Sequence, residues 1–327
     1  MLLPAEAAFQ TSWLTQRLRV PLRSTTLWEV VGHSFEVRQS PVRRVRGTPV
    51  NHPRISLVIP AKNEERNIAW VLRRIPDSVD EVILVDGNST DRTLEVARAI
   101  RPDIRVVPES ARGKGSALRT GFSVATGEII VMLDADCSMD PQEIEHYVTP
   151  ILRGADVVKG SRYLPGGGTA DMTRMRHIGN RVLLGLVNTL YGSRFSELCY
   201  GYMALRRDCV DVLQLAASGF EIETEIVVRA LRENLQVVEV PSYEAERRYG
   251  ASNLNAVRDG FRVLDTLLTQ RLRPATGRAA LQLARANYVS STPNGQSAEA
   301  QYDSPPVEIG ASVLTIQEPE PVGAEAA

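Results

Sequence analysis

Four short apolar runs, each followed by a helical pattern, decide what this chain can fold into. Ile55–Ile59 is a run of strand length that stops at Pro60. Asn63, Glu64 and Glu65 then open a helix whose apolar positions, Ile68, Val71, Leu72 and Ile75, fall at i, i+3, i+4 and i+7. Glu81–Val85 ends at Asp86, and Ser89-Thr90-Asp91 caps a helix that runs towards Ile100. Arg105–Val107 is a third run, Gly113-Lys114-Gly115 starts a helix reaching towards Ala125, and Ile129–Leu133 follows. This alternation predicts right-handed βαβ units, and so an α/β fold with a mostly parallel central sheet flanked by helices.

The fourth run carries the first chemical hint. Ile129–Leu133 is apolar on both faces, as a buried parallel strand requires, and it ends in Asp134-Ala135-Asp136. Ligands of open α/β sheets sit outside the carboxyl ends of the strands, where this pair emerges. Two carboxylates one residue apart can hold a hard divalent cation, which in turn can clamp a diphosphate. The plainer alternative is a strand-end turn leading into a helix, for which Asp140-Pro141 supplies an N-cap and a first helical residue. Asp86 ends its strand at the same edge and can accept from a base or a ribose hydroxyl, or serve as a turn aspartate. Arg112-Gly113-Lys114-Gly115 places cations and flexible backbone at a helix N-terminus, a phosphate-binding arrangement. It is not a Walker A loop, and no Gly-x-Gly-x-x-Gly follows the first strand, which disfavours a dinucleotide-dependent dehydrogenase.

The 327 residues are 43% hydrophobic and 24% charged with a net charge of -1, so no basic excess points to nucleic acid. Cys137, Cys199 and Cys209 have neither metal spacing nor the density of a disulfide framework and read as reduced thiols of a cytoplasmic protein. No apolar run is long enough to span a bilayer. Residues 1–53 form an Arg-rich arm with short apolar pieces around Trp13 and Trp28, expected to be partly ordered. Residues 274–327 are expected to be a largely disordered tail, acidic and without Lys or Arg from Ser291 onward.

Taken together, Ile59-Pro60-Ala61-Lys62-Asn63-Glu64-Glu65, Asp86-Gly87-Asn88-Ser89-Thr90-Asp91, Gly113-Lys114-Gly115-Ser116-Ala117 and Asp134-Ala135-Asp136 resemble the family 2 glycosyltransferases in order and spacing. Gly160-Ser161-Arg162-Tyr163, Gly201-Tyr202-Met203-Ala204, Glu239-Val240-Pro241 and Arg247-Arg248-Tyr249-Gly250-Ala251-Ser252 extend the likeness. They point to the dolichyl-phosphate mannosyltransferase and polyprenyl-phosphate glycosyltransferase branch. The likeness covers residues 54–270 and implies a GT-A domain over 54–273. It also implies inverting, metal-dependent transfer of a hexose from a nucleotide-sugar donor such as GDP-mannose or a UDP-hexose. Pro60, Asn63 and Glu64 would form the nucleotide pocket, Asp86 with Ser89 would face the base or ribose, and Lys114 would lie nearby. Asp134 and Asp136 would hold Mg²⁺ or Mn²⁺, while Arg162 and Arg247 would contact phosphates of donor or acceptor. Two departures stand out. Ser138 occupies the place where some members have a stronger metal ligand, and Asn253 stands where a Lys is usual.

Those residue types suit the chemistry. Breaking the anomeric bond builds negative charge on the leaving phosphate, which a divalent cation and Arg or Lys stabilise more than they do the ground state. A phosphate acceptor is already ionised and needs positioning, whereas a sugar hydroxyl needs a base. Glu221, Glu223 and Glu225 are candidates for that base, against the alternative of a helix start rich in Glu. Residues 172–192 carry an apolar stripe (Ile178, Val182, Leu183, Leu186, Val187, Leu190) beside Arg174, Arg176 and Arg181. Either it faces the core, or it is an interfacial helix that receives a lipid carrier at the inner face of a membrane. A second such stripe, Val257, Phe261, Leu264 and Leu268, follows Asn255. The resemblance to the polyprenyl-phosphate branch implies a polyprenyl phosphate acceptor, to which the interfacial alternative would add peripheral membrane contact. The competing expectations are a soluble hydroxyl acceptor and a non-catalytic nucleotide-sugar-binding protein.

Overall fold

A computed structural model describes residues 52–250 and 254–273. The expectations for the N-terminal arm up to residue 51, for Ala251-Ser252-Asn253 and for the tail from residue 274 lie outside the described residues. The strands are β1 (Ile55–Ala61), β2 (Glu81–Asp86), β3 (Arg105–Pro108), β4 (Ile129–Met132), β5 (Val157–Ser161), β6 (Gly168–Thr169), β7 (Met203–Arg206), β8 (Val237–Pro241) and β9 (Tyr243–Glu244). The helices are α1 (Ile68–Arg73), α2 (Thr93–Ile100), α3 (Lys114–Val124), α4 (Ile144–Leu152), α5 (Arg174–Tyr191), α6 (Arg207–Leu213), α7 (Ile222–Arg232) and α8 (Ala256–Leu272).

Seven strands form one sheet in the order β3-β2-β1-β4-β7-β5-β8, and β6 pairs with β9 separately. β1, β2, β3 and β4 are mutually parallel, as the alternation predicts. β7 runs antiparallel to both β4 and β5, an insertion that the alternation does not foretell. Side chains of each strand divide between two cores with the period of a strand. Leu57, Ile59 and Val131 join Ile68 and Val71 of α1 and Ile144 and Tyr147 of α4 on one face. Val58, Ile130 and Met132 join Leu118 and Phe122 of α3 and Ile222 and Ile226 of α7 on the other. α3 lies so close to β1 that a Cβ at Gly121 would meet Val58 Cγ1 at 2.3 Å. Both faces are covered, which explains why β4 reads as unbroken apolar sequence.

Two boundaries differ from expectation, each for a local reason. β1 continues through Pro60 to Ala61, since Pro60 pairs in register with Val85. α1 begins at Ile68 rather than at Asn63, because Asn63 takes a φ of 57° and the chain turns before the helix starts. Arg92 holds the N-cap position of α2, and Asp91 before it, within the expected cap, accepts the Thr93 N–H through Oδ1 at 3.0 Å. Asp140 does cap the short helical turn Pro141–Glu143, accepting from the Gln142 N–H at 3.0 Å.

Candidate active site

The carboxyl ends of β1, β2 and β4 open into a cavity of about 760 Å³. It brings together Pro60, Asn63, Glu64, Lys114, Asp134, Asp136, Arg162 and Arg247. Asp86 and Ser89 are not among its walls. Asp86 Oδ1 accepts the Ser89 N–H at 3.1 Å in a turn, and Ser89 Oγ accepts the Asn63 N–H at 3.0 Å. These contacts, with Asn63 Oδ1 accepting from Thr90 N–H at 2.8 Å, lock the two strand-end loops together.

Each strand-end carboxylate has its own cation. Lys114, at the start of α3, places Nζ 2.7 Å from Asp134 and 2.8 Å from Glu223 of α7. Arg247 reaches Asp136 at 2.6 Å and Glu64 at 3.2 Å. Burial opposes the charge on Lys114, but Asp134 and Glu223 outweigh it and hold the ammonium above the ordinary lysine range. Burial raises the Asp134 carboxyl despite Lys114, and raises Glu64 despite the Asn67 amide and Arg247. Asp136 is fixed further by Ser138, which donates to Oδ1 from both its N–H (3.0 Å) and its hydroxyl (2.6 Å). So Ser138, where a metal ligand was looked for, orients the carboxylate beside it. Gly201 closes over the lysine: a Cβ there would stand 2.7 Å from both Lys114 Nζ and Glu223 Oε1.

The three glutamates at the start of α7 have separate partners. Glu221 accepts the N–H groups of Ser218 (3.2 Å) and Gly219 (2.9 Å). Glu225 accepts those of Ala216 (2.9 Å) and Ala217 (2.7 Å). The loop they shape rests on α3, where Ser116 N–H donates to the Ser218 carbonyl at 3.2 Å. Glu223 is the member of the three that faces the chemistry, and it does so as the partner of Lys114.

Arg162, expected to contact a phosphate, lines the cavity already paired. It is buried, with Nε on Glu197 (2.8 Å), Nη1 on Glu244 (2.8 Å) and Nη2 on the Cys199 carbonyl (3.0 Å). Beside it Lys159, wholly buried, donates to the Glu197 carbonyl at 2.7 Å and pairs with Glu239 at 3.3 Å. This network braces the 196–202 segment that delivers Gly201. Its members lie far apart in sequence, so no local pattern reveals it.

The other end of the cavity mixes apolar residues with Arg176, Arg258, Asp259 and Arg262. Met175, Gly179 and Leu183 of α5 and Val257, Gly260 and Val263 of α8 border the same space. Nothing fills the position of a Cβ at Gly179 or Gly260. The α5 stripe divides rather than facing one way: Val187 is buried against Val263 and Leu267 of α8, while Ile178 and Val182 are 63% and 67% exposed. Asn180, with Arg176 one turn before it, borders the cavity where this seam joins the polar end. Its Oδ1 accepts from Cys199 N–H at 3.3 Å. Its Nδ2 is buried beside the Tyr163 side chain. Sequence reasoning missed Asn180; its place within an apolar stripe was the available signal.

A mostly parallel sheet flanked by helices, with paired carboxylates at its carboxyl edge, defines the GT-A type of fold. The model of glycosyl transferase family 2 matches residues 56–213, and the chain belongs to that family. Its relatives include glycosyltransferase AglJ of Haloferax volcanii, 31% identical over 63% of this chain and 68% of that one. The dolichol-phosphate mannosyltransferase of Pyrococcus furiosus is 30% identical over 62% of this chain, which spans 59% of that protein's length. The polyprenol monophosphomannose synthase of Mycolicibacterium smegmatis is 28% identical over 68% of this chain and 91% of that one. These relatives bear out the likeness to the polyprenyl-phosphate branch. Among solved structures, glucosyl-3-phosphoglycerate synthase from Mycobacterium tuberculosis, in complex with Mn²⁺, uridine diphosphate and glucosyl-3-phosphoglycerate, superposes with a TM-score of 0.55. It is 27% identical and covers 69% of this chain and 82% of that one.

Proposed function

We propose that residues 54–273 form an inverting, metal-dependent hexosyltransferase that moves a sugar from a nucleotide diphosphate sugar to a polyprenyl phosphate. The observation that carries this reading is one cavity running from Asp134 and Asp136 to the apolar seam between α5 and α8. A donor with a charged diphosphate and an acceptor that is half lipid need those two environments side by side. The names of the Pyrococcus and Mycolicibacterium relatives support it.

Asp134 and Asp136 offer two hard oxygen donors, and no third His, Cys, Asp or Glu completes a metal cluster among the described residues. That set fits Mg²⁺ or Mn²⁺, ions that are held by one or two carboxylates and take their remaining ligands from phosphate and water. When bound, such an ion supplies Lewis-acid stabilisation of the leaving diphosphate. Lys114 and Arg247 stand within reach of the same phosphates and would exchange their carboxylate partners for them. Pro60, Asn63 and Glu64 would wall the nucleoside, with Asp86 and Ser89 shaping the loop beside it. Asn180 Nδ2 and Arg176 would receive the acceptor phosphate, with Arg162 held behind them as a paired cation. No base is needed, because the attacking phosphate oxygen is already ionised.

No helix among the described residues is long and apolar enough to cross a membrane. The exposed Ile178, Val182, Val257 and Phe261, flanked by the exposed Arg174, Arg181, Arg258 and Arg262, support peripheral contact with an anionic membrane from the cytoplasmic side. A second reading, a soluble phosphate-bearing acceptor, draws on the Mycobacterium tuberculosis structures with phosphoglyceric acid.

The test is a transfer screen with GDP-mannose, UDP-glucose and UDP-N-acetylglucosamine, with Mn²⁺ or Mg²⁺, with and without a short polyprenyl phosphate. Product that forms only with the lipid phosphate and disappears with chelator is the expected result. Product formed on phosphoglycerate but not on the lipid phosphate would move the assignment to the second reading.

A further inference from the structure

Asn67 stands at the N-cap of α1, where an asparagine side chain ordinarily bonds to the first turn of its own helix. It makes no such bond. The residue is 2% exposed, and its polar groups go to three separate stretches of chain. Nδ2 donates to Glu64 Oε2 at 2.6 Å and to the Tyr249 carbonyl at 3.1 Å. The Cys137 thiol lies 3.4 Å from the Asn67 carbonyl and 3.7 Å from its Oδ1, and donates to them. Cys137 forms the turn directly after Asp136 and takes a φ of 69°, which a residue with a side chain rarely adopts.

These three stretches carry the three members of one charge cluster, in which Arg247 lies between Glu64 and Asp136. Residues 245–249 cross from one side to the other as a strap without regular structure. Its start is fixed where Ala245 N–H donates to the Ser138 carbonyl at 2.9 Å, and its end where Asn67 holds Tyr249. On the outside, the Arg248 guanidinium lies 4.6 Å from the centre of the Trp70 ring, and that of Arg66 lies 3.9 Å from the Tyr249 ring. Arg66, Arg248 and Tyr249 are exposed, so these stacks hold the strap weakly. The buried amide is the firmer tie.

We infer that Asn67 is a positioning residue that acts through Arg247, keeping its guanidinium where the donor diphosphate arrives. The inference rests on the nucleotide-sugar reading above. A strap left untied would have to be ordered when the diphosphate binds, and that cost would be lost from affinity. An amide suits the task, because it offers two N–H groups to two acceptors and an oxygen to the thiol. Aspartate, of the same shape, would turn an oxygen towards Glu64 and the Tyr249 carbonyl. Serine would replace the amide with one short hydroxyl suited to capping α1, so the tie goes while the helix keeps its start.

The experiment is a double-mutant cycle between Asn67→Ser and Arg247→Ala. It is read by calorimetric titration of the full chain with UDP and with GDP in the presence of Mn²⁺. Asn67→Ser alone should weaken the nucleotide that the wild type binds by about tenfold, and by less than about twofold once Arg247→Ala is present. A merely structural Asn67 would cost the same in both backgrounds. Trp70 gives a second readout, as the one tryptophan left after Trp13→Phe and Trp28→Phe. Asn67→Ser should increase its quenching by acrylamide, because Arg248 leaves the ring when the strap is released, while the melting temperature holds. Asn67→Asp, also a good cap, carries the same cycle where Asn67→Ser folds poorly. Equal weakening in both backgrounds, affinity untouched by Asn67→Ser, or unchanged quenching overturns the inference and leaves the proposed function standing. Failure of both nucleotides to bind the wild-type chain overturns both.

Discussion

The wall of the cavity made by the sheet edge and the wall made by α5 and α8 treat their side chains in opposite ways. At the sheet edge the carboxylates beside β1 and β4 are matched: Asp134 with Lys114, Asp136 with Arg247, Glu64 with Arg247 and the Asn67 amide. Along α5 and α8 large apolar groups stand in the open, Met175 within the cavity and Ile178, Val182 and Phe261 outside its lining. In the first wall the carboxylates already have cations that can change partners. The second is complete only against something apolar. Positioning of a charged donor can therefore be preorganised, whereas reception of a lipid is left to a surface that finishes itself on contact.

The sharpest way to break this comparison is at the matched wall. Asp136→Ala should lower turnover by about a thousandfold or more, with the far-UV spectrum intact. Normal turnover would remove the carboxylate pair from the mechanism. Gly201→Ala comes next, because its Cβ would displace Lys114 or Glu223 by roughly an ångström. We expect kcat/KM for the donor to fall by about 10- to 100-fold, and an unchanged value would show that the lysine need not be held there. A smaller and more selective effect belongs to the open wall. Ile178→Glu combined with Phe261→Glu should reduce transfer to polyprenyl phosphate in anionic vesicles by about tenfold. Nucleotide binding should stay the same; equal loss of both would mean that the helices only support the fold. Removing residues 291–327 should change turnover by less than about twofold, measured against the full chain with the same lipid.

Legibility in the sequence follows the same division. The parallel strands and their edge carboxylates could be read because a strand buried on both faces is a short apolar run, and what ends it is polar. β7 could not, since Met203-Ala204-Leu205-Arg206 carries no mark of its direction. Lys114 was legible as a cation among glycines at a helix start, but its pairing with Glu223 joins residues 109 apart. Arg162 was expected to face phosphate; its two carboxylate partners, 35 and 82 residues away, had no local signature. The apolar stripe of α5 was seen as either core-facing or interfacial. A period alone cannot tell the two apart, and the helix turns out to present one side to each.

The antiparallel β7 has a consequence for how the chain is made. It is the strand that joins β4 to β5, so the sheet stays in two pieces until residues 203–206 have been synthesised. Until then β4, apolar throughout, keeps one side of its backbone unpaired, and such an edge recruits other chains. A nascent or truncated chain ending between β4 and β7 is therefore an aggregation hazard. The late-arriving strand acts as the closure that makes the domain safe to release.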